Sequence, residues 1–350
     1  MYNPKFVITN NILSSIGRVE AAKEVIENAP LVPAWERQFK KEAVVRAVHY
    51  STHIEGNALN FLEVKRIIDG RGDEVVARDR DIQEIVNYRK AMEFIDRIKD
   101  ENRGVTEGEI LKIHEILVEK IVPREQRGHY RNPGEQAVLL NSLTLELRAR
   151  FPKADAVPDL VRSLVDWTMS PPAGAVHPVL RSGILQYELA WIHPFVDGNG
   201  RVARTVSTLS LYRGDYDIKR FFCLDEYYDE DAAAYYNAIA APKEKGDDLT
   251  PWLEYFSEGL AIELNRVKTK VLKLSKDAKL RKAVGQVALS ERQEKIIEHI
   301  QDYGSFANSE FDKLFPKVSD DTTLRDVRGL ISKGILKKEG QTKAARYVLR

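Results

Sequence analysis

The stretch HPFVDGNGRVAR, His193 to Arg204, decides how this chain is read. It joins two apolar-periodic runs, PVLRSGILQYELAWI before it and RTVSTLSLYRG after it, so it lies in a turn between two helices. Pro194 disfavours helical geometry at His193, which ends the first helix there and leaves the imidazole at a helix terminus, facing a turn instead of a core. Gly198, Asn199 and Gly200 can adopt conformations denied to bulkier side chains, so successive backbone N–H groups converge on one point as the second helix begins. That is the physics of an anion site.

Arg201 and Arg204 sit one helical turn apart and share a face. Near a helix N-terminus each cation is disfavoured by roughly 0.3 to 1 kcal/mol, so the pair makes sense when an anion such as a polyphosphate compensates both. Asp197 supplies a hard oxygen of the kind a phosphate-bridging magnesium ion takes from a protein, which usually provides few ligands. Taken singly, a histidine is usually structural, Gly-Asn-Gly is usually a turn, and two arginines are usually a solvated face. Together within twelve residues they form a kit for phosphoryl or nucleotidyl transfer. Other phosphate cradles are missing: no Walker-type glycine loop ends in Lys-Ser/Thr, and no strand precedes GNGRVA as a dinucleotide fingerprint requires.

HPFVDGNGRVAR resembles the signature of the Fic family, His-Pro-Phe-x-Asp/Glu-Gly-Asn-Gly-Arg-x-x-Arg, and matches it at every specified position. The resemblance implies an all-helical core and transfer of a nucleoside monophosphate, typically AMP from ATP, to a Ser, Thr or Tyr hydroxyl of a target protein or of the chain itself. Carried over residue by residue, it makes His193 the general base and Asp197 the magnesium ligand. Gly198, Asn199 and Gly200 become the anion hole, with Arg201 and Arg204 holding the β- and γ-phosphates. The chemistry agrees without the family name, since an imidazole of unperturbed pKa near about 6.5 can take a hydroxyl proton at neutral pH.

A second motif, STHIEGN, places Ser51 and Glu55 four apart on one helix face, with Glu55 in the last turn. There the helix end is already negative, so the carboxylate wants a cation from elsewhere. A solvated glutamate before a glycine cap is the ordinary alternative. The stretch resembles the Fic inhibitory motif, Ser/Thr-x-x-x-Glu-Gly/Asn, in the subclass that carries it on an N-terminal helix. This resemblance implies that Glu55 pairs with Arg204 and blocks productive placement of the γ-phosphate. The family resemblance extends to GHYR, Gly128 to Arg131, and the apolar run Ala137 to Leu140, which look like the flap hairpin that pairs with an extended target segment. AYYNAI resembles the segment that closes over adenine, making Tyr236 a nucleotide contact; Tyr235 and Tyr236 read equally well as core aromatics.

The rest of the chain is mostly helical in pattern. PAWERQFKKEAVVRAVHYSTHIEGN reads as one long helix from Pro33 with a stop at Gly56, and TEGEILKIHEILVEKI opens on a Thr106/Glu109 capping box. Between Pro123 and Pro158 glycines and prolines mark a loop with a small hairpin. Ala261 to Val284, with eight basic and two acidic residues, reads as a solvated helix running into a connector. The last sixty residues give three short helices and two strand-like runs around Gly340, the order of a winged helix-turn-helix. Its recognition helix falls in SDDTTLRDVRGLISKGIL, with Lys337, Lys338, Lys343 and Arg346 around the wing. The expected fold is therefore mainly α: a Fic-type helical core with a small β-hairpin flap, plus a C-terminal winged helix-turn-helix. The expected divisions are 1–100 for an N-terminal helical region with the inhibitory helix, 101–284 for the catalytic core, and 285–350 for the tail.

The 350 residues, 43% hydrophobic and 31% charged, provide ample core material, and 54 Lys plus Arg against 53 Asp plus Glu leave no global field toward nucleic acid or membrane. No apolar run reaches the about 18 residues needed to span a bilayer, and the first residues lack the order of a signal peptide. A lone Cys223 beside Phe221 and Phe222 reads as a small buried residue and suits a reducing compartment. A cytoplasmic enzyme with ATP as co-substrate, magnesium as cofactor and no membrane partner is expected, with a homodimer compatible. Residues 290–350 hold twelve basic and ten acidic side chains, so DNA and protein are equal candidates for the tail's ligand. The competing readings are a DNA-binding regulator with a nucleotide-sensing core and a Fic enzyme that removes AMP or transfers another group.

Overall fold

The computed structural model describes residues 2–29, 31, 33–101, 103–134, 138–140, 147–283, 289–316, 318–340 and 346–350. Ala137, Val284 and Lys343, singled out above, lie outside the described residues. Two contact-defined units emerge, one of residues 1–28 and 39–269 and the other of 29–38 and 270–350. The chain thus passes between the units inside two long helices, at 38/39 and at 269/270, and residues 39–100 belong with the segment that follows them.

In the first unit, α1 (Asn10–Asn28), α2 (Pro33–His53) from residue 39 onward, α3 (Phe61–Ile68), α4 (Asp79–Ile98) and α5 (Glu107–Leu117) precede the hairpin of β1 (Val138–Leu140) and β2 (Leu147–Arg150). Then come α6 (Val157–Thr168), the short α7 (Pro171–Gly174), α8 (Pro178–Ile192), α9 (Asn199–Arg213), α10 (Leu224–Glu230), α11 (Ala232–Glu244) and α12 (Thr250–Ala283) as far as residue 269. α2 begins on Pro33 as its missing N–H allows, and the chain turns at Gly56 with φ +91°. Glu55 itself lies in that turn, just beyond the last helical residue His53, instead of inside the helix's last turn. Asn57 explains the early stop: its amide donates to the Asp81 carbonyl at 3.0 Å and to Glu84 Oε2 at 2.9 Å, fastening the turn to α4.

α8 and α9 form the centre, flanked by α4, α5, α6 and α12. Small residues let the central pair approach: Ser182 Oγ donates to the Ser207 carbonyl at 2.5 Å. Trp252 of α12 is fully buried, and its indole N–H is satisfied by the Gly183 carbonyl at 2.7 Å. α5 carries the expected capping box, with Thr106 Oγ1 accepting from Glu109 N and Glu109 Oε2 accepting from Thr106 N. The same Glu109 makes a two-pronged pair with the buried Arg213 at 2.9 and 3.0 Å, clamping α5 to the end of α9. Burial opposes the Glu109 charge, but Arg213 and the Thr106 backbone outweigh it and bring its pKa down to about 2.

Two expectations need correction. The basic run from Ala261 is not simply a solvated helix, because Ala261, Leu264 and Val267 are buried and give α12 an inner face. The surroundings of Cys223 are also not merely apolar: it is buried with Phe221 and Phe222, yet its N–H donates to the fully buried Glu263, which also pairs with Arg46.

In the second unit α13 (Glu291–Tyr303) starts at a Ser290/Gln293 capping box and ends at left-handed Gly304. β3 (Phe306–Ala307), α14 (Phe311–Leu314), α15 (Asp320–Ser332), β4 (Leu336–Glu339) and β5 (Arg346–Leu349) follow. The antiparallel sheet has the order β3-β5-β4, with Phe306 opposite Tyr347 and Lys338 opposite the same residue on the other side. Ile296, Ile300, Phe306, Phe311, Val327, Leu330 and Leu336 form its core. β3 went unread in the sequence because two residues carry no periodicity. Lys337 and Lys338 lie on β4 and Arg346 opens β5.

Candidate active site

His193 caps α8 in the left-handed region, at φ 51° and ψ 58°, just before Pro194. Its Nδ1 lies 3.2 Å from the Ala190 carbonyl, which can only accept, so Nδ1 carries the proton and Nε2 keeps a free lone pair. Phe151, directly after β2, stacks on the imidazole with ring centroids 4.1 Å apart and planes within 10°. Burial lowers the His193 pKa, and Arg131 adds to this, keeping the ring neutral at pH 7.

The turn that follows is closed by Asn199, whose side chain accepts from Phe195 N at 2.8 Å and donates to Phe195 O at 2.9 Å. Its amide is therefore committed to the turn, which leaves the backbone at 198–200 as the part free to meet an anion. Gly198 enters α9 at φ +79°, a conformation that suits glycine. His114 of α5 supports the turn from beneath: its ring stacks on Phe195 at 3.7 Å, Nδ1 accepts from Gly128 N at 3.0 Å, and Nε2 reaches Asp197 O at 3.2 Å. Since Gly128 N–H is the donor, the His114 proton resides on Nε2 and goes to Asp197. Burial, only partly offset by the Asp197 carbonyl, lowers the His114 pKa to about 4.

Arg131 ties the GHYR segment to the same turn. Its backbone N–H donates to Pro194 O and its Nε to His193 O, both at 2.9 Å. β1 and β2 beyond it pair antiparallel, Val138 with Arg150 and Leu139 with Ala149, the register slipping before Leu140.

The two signature arginines diverge. Arg201 is buried, with Nη2 3.0 Å from Asp197 Oδ1 and Nη1 3.4 Å from Glu84 Oε1. Arg204, also buried, donates from Nε to Ser51 Oγ at 2.9 Å and from Nη2 to Ser51 O at 2.8 Å and Glu55 Oε1 at 2.9 Å. Asp225 Oδ1 approaches Arg204 Nε at 3.1 Å. Burial alone would depress the Arg204 pKa, but Glu55 and Asp225 outweigh it and raise it well above the usual value. Ser51, Glu55, Gly200 and Arg204 are thus brought together, whereas Arg201 belongs to a separate cluster around Asp197.

A cavity of about 250 Å³ opens here, lined by Glu55, Phe151, His193, Gly200, Arg204, Tyr235, Tyr236 and Lys243 among others. Glu55 fills the floor: a β-carbon placed on Gly200 would come 2.2 Å from Glu55 Oε1. The tyrosines divide. Tyr235 is buried and stacks on Tyr228 at 4.4 Å, while Tyr236 is partly exposed and its hydroxyl donates to Ile54 O at 3.3 Å.

Asp197 is partly exposed, with Oδ2 taken by Arg80 Nη2 at 2.7 Å. Burial would raise its pKa, but Arg201 and Arg80 hold it below the usual carboxylate value. Among the described residues no cluster of three or more His, Cys, Asp or Glu could hold a metal by itself. The donor set therefore fits magnesium only as a one-carboxylate site completed by phosphate oxygens and water. Arg80, Glu84, His114, Arg131, Phe151 and Asp225 were not read from the sequence as site residues. Each reaches the site from another element, and only GHYR carried a local signal.

A Fic/DOC family model matches residues 104–211. The protein adenylyltransferase Fic of Drosophila willistoni is 28% identical over 191 residues, covering 51% of this chain and 34% of the relative. The protein of the same name from Drosophila melanogaster is 27% identical over 191 residues, covering 51% and 35%. The chain spans about a third of the length of these curated relatives. The crystal structure of a Fic family protein from Desulfovibrio desulfuricans superposes with a TM-score of 0.69 at 24% identity, covering 100% of this chain and 98% of the other. A Fic domain containing signaling protein from Bacteroides thetaiotaomicron gives 0.62 at 24% identity, covering 77% and 97%. These two structures speak for the fold. Among the described residues no helix is long and apolar enough to cross a membrane.

Proposed function

Because the chain belongs to the Fic family, its Fic domain spanning residues 104–211, we propose that it is a protein adenylyltransferase held at rest by Glu55. The observation that carries this reading is the Glu55 carboxylate seated between Gly200 and Arg204 in the cavity that also holds His193. An anion site at a helix N-terminus, already filled by an internal carboxylate, is what a restrained polyphosphate site would look like.

In the working state the γ-phosphate of ATP replaces Glu55 at Arg204, and the backbone at Gly198 to Gly200 receives phosphate oxygens. Arg201 adds positive charge from the Asp197 side, toward the β-phosphate. His193 Nε2 takes the proton of the acceptor hydroxyl as that oxygen bonds to the α-phosphorus and the α–β phosphoanhydride bond breaks, releasing pyrophosphate. The position of His193 at a helix end, its free Nε2 and its lowered pKa support this role. When bound, magnesium would neutralise charge on the phosphates, and Asp197 would hold it. Tyr236 forms a wall of the nucleotide cavity. The β1–β2 hairpin offers an edge to an extended target segment. The helix order and three-stranded sheet of the second unit support reading it as a winged helix-turn-helix. We place the enzyme in the cytoplasm, in keeping with its single buried thiol.

The test is incubation of the full chain with α-labelled ATP, GTP, CTP and UTP, with mass spectrometry of the labelled peptides. AMP on a hydroxyl side chain is expected. Nucleotide binding with no covalent product from any of the four, in the parent and in Glu55→Gly, would overturn the reading.

A further inference from the structure

Arg80 is the unexplained member of the charged group around Asp197. Both Asp197 carboxylate oxygens are occupied by guanidinium groups, Oδ1 by Arg201 and Oδ2 by Arg80. The two arginines differ in what holds them. The Arg201 side chain is 3% exposed and lies between Asp197 and Glu84, so moving it would strip a buried charge of its partners. The Arg80 side chain is 56% exposed and can turn into water at little cost. It also keeps an anchor when it does, because its Nε donates to Glu84 Oε1 at 3.2 Å independently of the Nη2 contact to Asp197.

Glu84 is in turn fixed by Asn57, which donates to its other oxygen at 2.9 Å. The four charges Arg80, Asp197, Arg201 and Glu84 alternate around a ring in which three are pinned and one is free to swing. We infer that Arg80 is a resident cation on the metal-binding carboxylate, which a nucleotide-bound magnesium ion must displace from Asp197 Oδ2, so that Arg80 sets the metal requirement of the enzyme. The inference rests on the reading of Asp197 as the magnesium ligand. The exchange would be purely ionic: the Asp197 oxygen would hold the metal in place of the guanidinium, which keeps its charge and its bond to Glu84. Magnesium arriving with ATP phosphates brings a negatively charged partner, so the displaced guanidinium remains near compensating charge.

The measurement is the affinity of α,β-methylene ATP, whose α–β bridge cannot be cleaved, by calorimetry in saturating magnesium and in EDTA. Glu55→Gly is the background throughout, so that the nucleotide phosphates are free to take their productive pose beside Asp197. The magnesium-dependent tightening should be about fivefold larger in Arg80→Ala than in the background, the scale expected when an exposed ion pair no longer has to be broken. Adding Asp197→Ala should abolish that gain. An Arg80→Ala protein with the same or a smaller magnesium effect would overturn the inference. So would a gain that persists without Asp197, which would mean that Arg80 acts only as a distant charge. If Asp197→Ala alone left the magnesium effect unchanged, the metal assignment of Asp197 would fall, and the inference with it. Arg80→Lys, which keeps the charge but loses the fork geometry, should fall between the background and Arg80→Ala.

Discussion

Glu55 Oε1 lies 2.9 Å from Arg204 Nη2 and over Gly200, where a β-carbon would meet it at 2.2 Å, so one carboxylate occupies both the cation and the helix end that the signature offers to an anion. The two residues are 149 positions apart, and each has a charge at odds with its local setting. Glu55 follows the negative end of α2, and Arg204 sits in the first turns of α9. Their pairing resolves both.

His193→Ala should lower AMP transfer at least about a hundredfold, the lower range for losing a general base, with nucleotide affinity largely kept. Because burial holds the His193 pKa below its ordinary value, the base is already neutral at and above pH about 6.5. The profile of kcat/KM should be flat on the alkaline side and fall only below that point. An inflection above pH 7 that disappears with His193 would contradict the environment assigned to the ring.

His114 should make stability depend on pH. Its folded pKa of about 4 lies below the unfolded value near about 6.5, so the fold favours the neutral ring. That contribution is complete above the unfolded pKa and declines as pH falls toward 4. His114→Gln can still accept from Gly128 N and donate to Asp197 O but does not titrate. Between pH 7 and pH 5, urea unfolding should show the parent losing about 2 kcal/mol relative to this variant. Parallel losses in both proteins would show that another group is responsible.

Arg213→Met should destabilise the protein by about 1 to 3 kcal/mol, because it removes the two-pronged partner of the buried Glu109 carboxylate and leaves it only Arg103 Nη2 at 2.7 Å and the Thr106 N–H. Glu109→Leu combined with Arg213→Met should cost less than the single change, although the α5 cap is lost as well. Chemical denaturation of the three proteins decides this. A double variant less stable than Arg213→Met would show that the pair contributes more than mutual neutralisation.

The signature was legible because its parts are contiguous: Pro194 ends α8, the glycines shape the turn, and the arginines follow within the same helix. Glu55 was legible through its motif, although its place just beyond α2 was not. That place depends on Asn57 gripping α4, a contact 24 to 27 residues away. Asp225 and Arg80 left no local trace, since a charged residue on an amphipathic helix looks solvated until a distant partner is known. The divergence of Arg201 and Arg204 was hidden for the same reason. Spacing puts both on one face of α9, but Glu84 and Ser51 draw their long side chains to different neighbours.

The most direct test of the account is the initial rate of AMP transfer, with ATP affinity measured alongside, for the parent, Glu55→Gly, and Glu55→Gly combined with His193→Ala. If Glu55 favours the resting pose by about 2.7 kcal/mol, as a partly buried ion pair can, its removal should speed transfer about a hundredfold and change ATP affinity much less. The double variant should fall back to the parent's rate or below. A Glu55→Gly protein no faster than the parent, with labelled ATP and purified target present, would contradict the restraint, and a gain that survived in the double variant would contradict the role of His193.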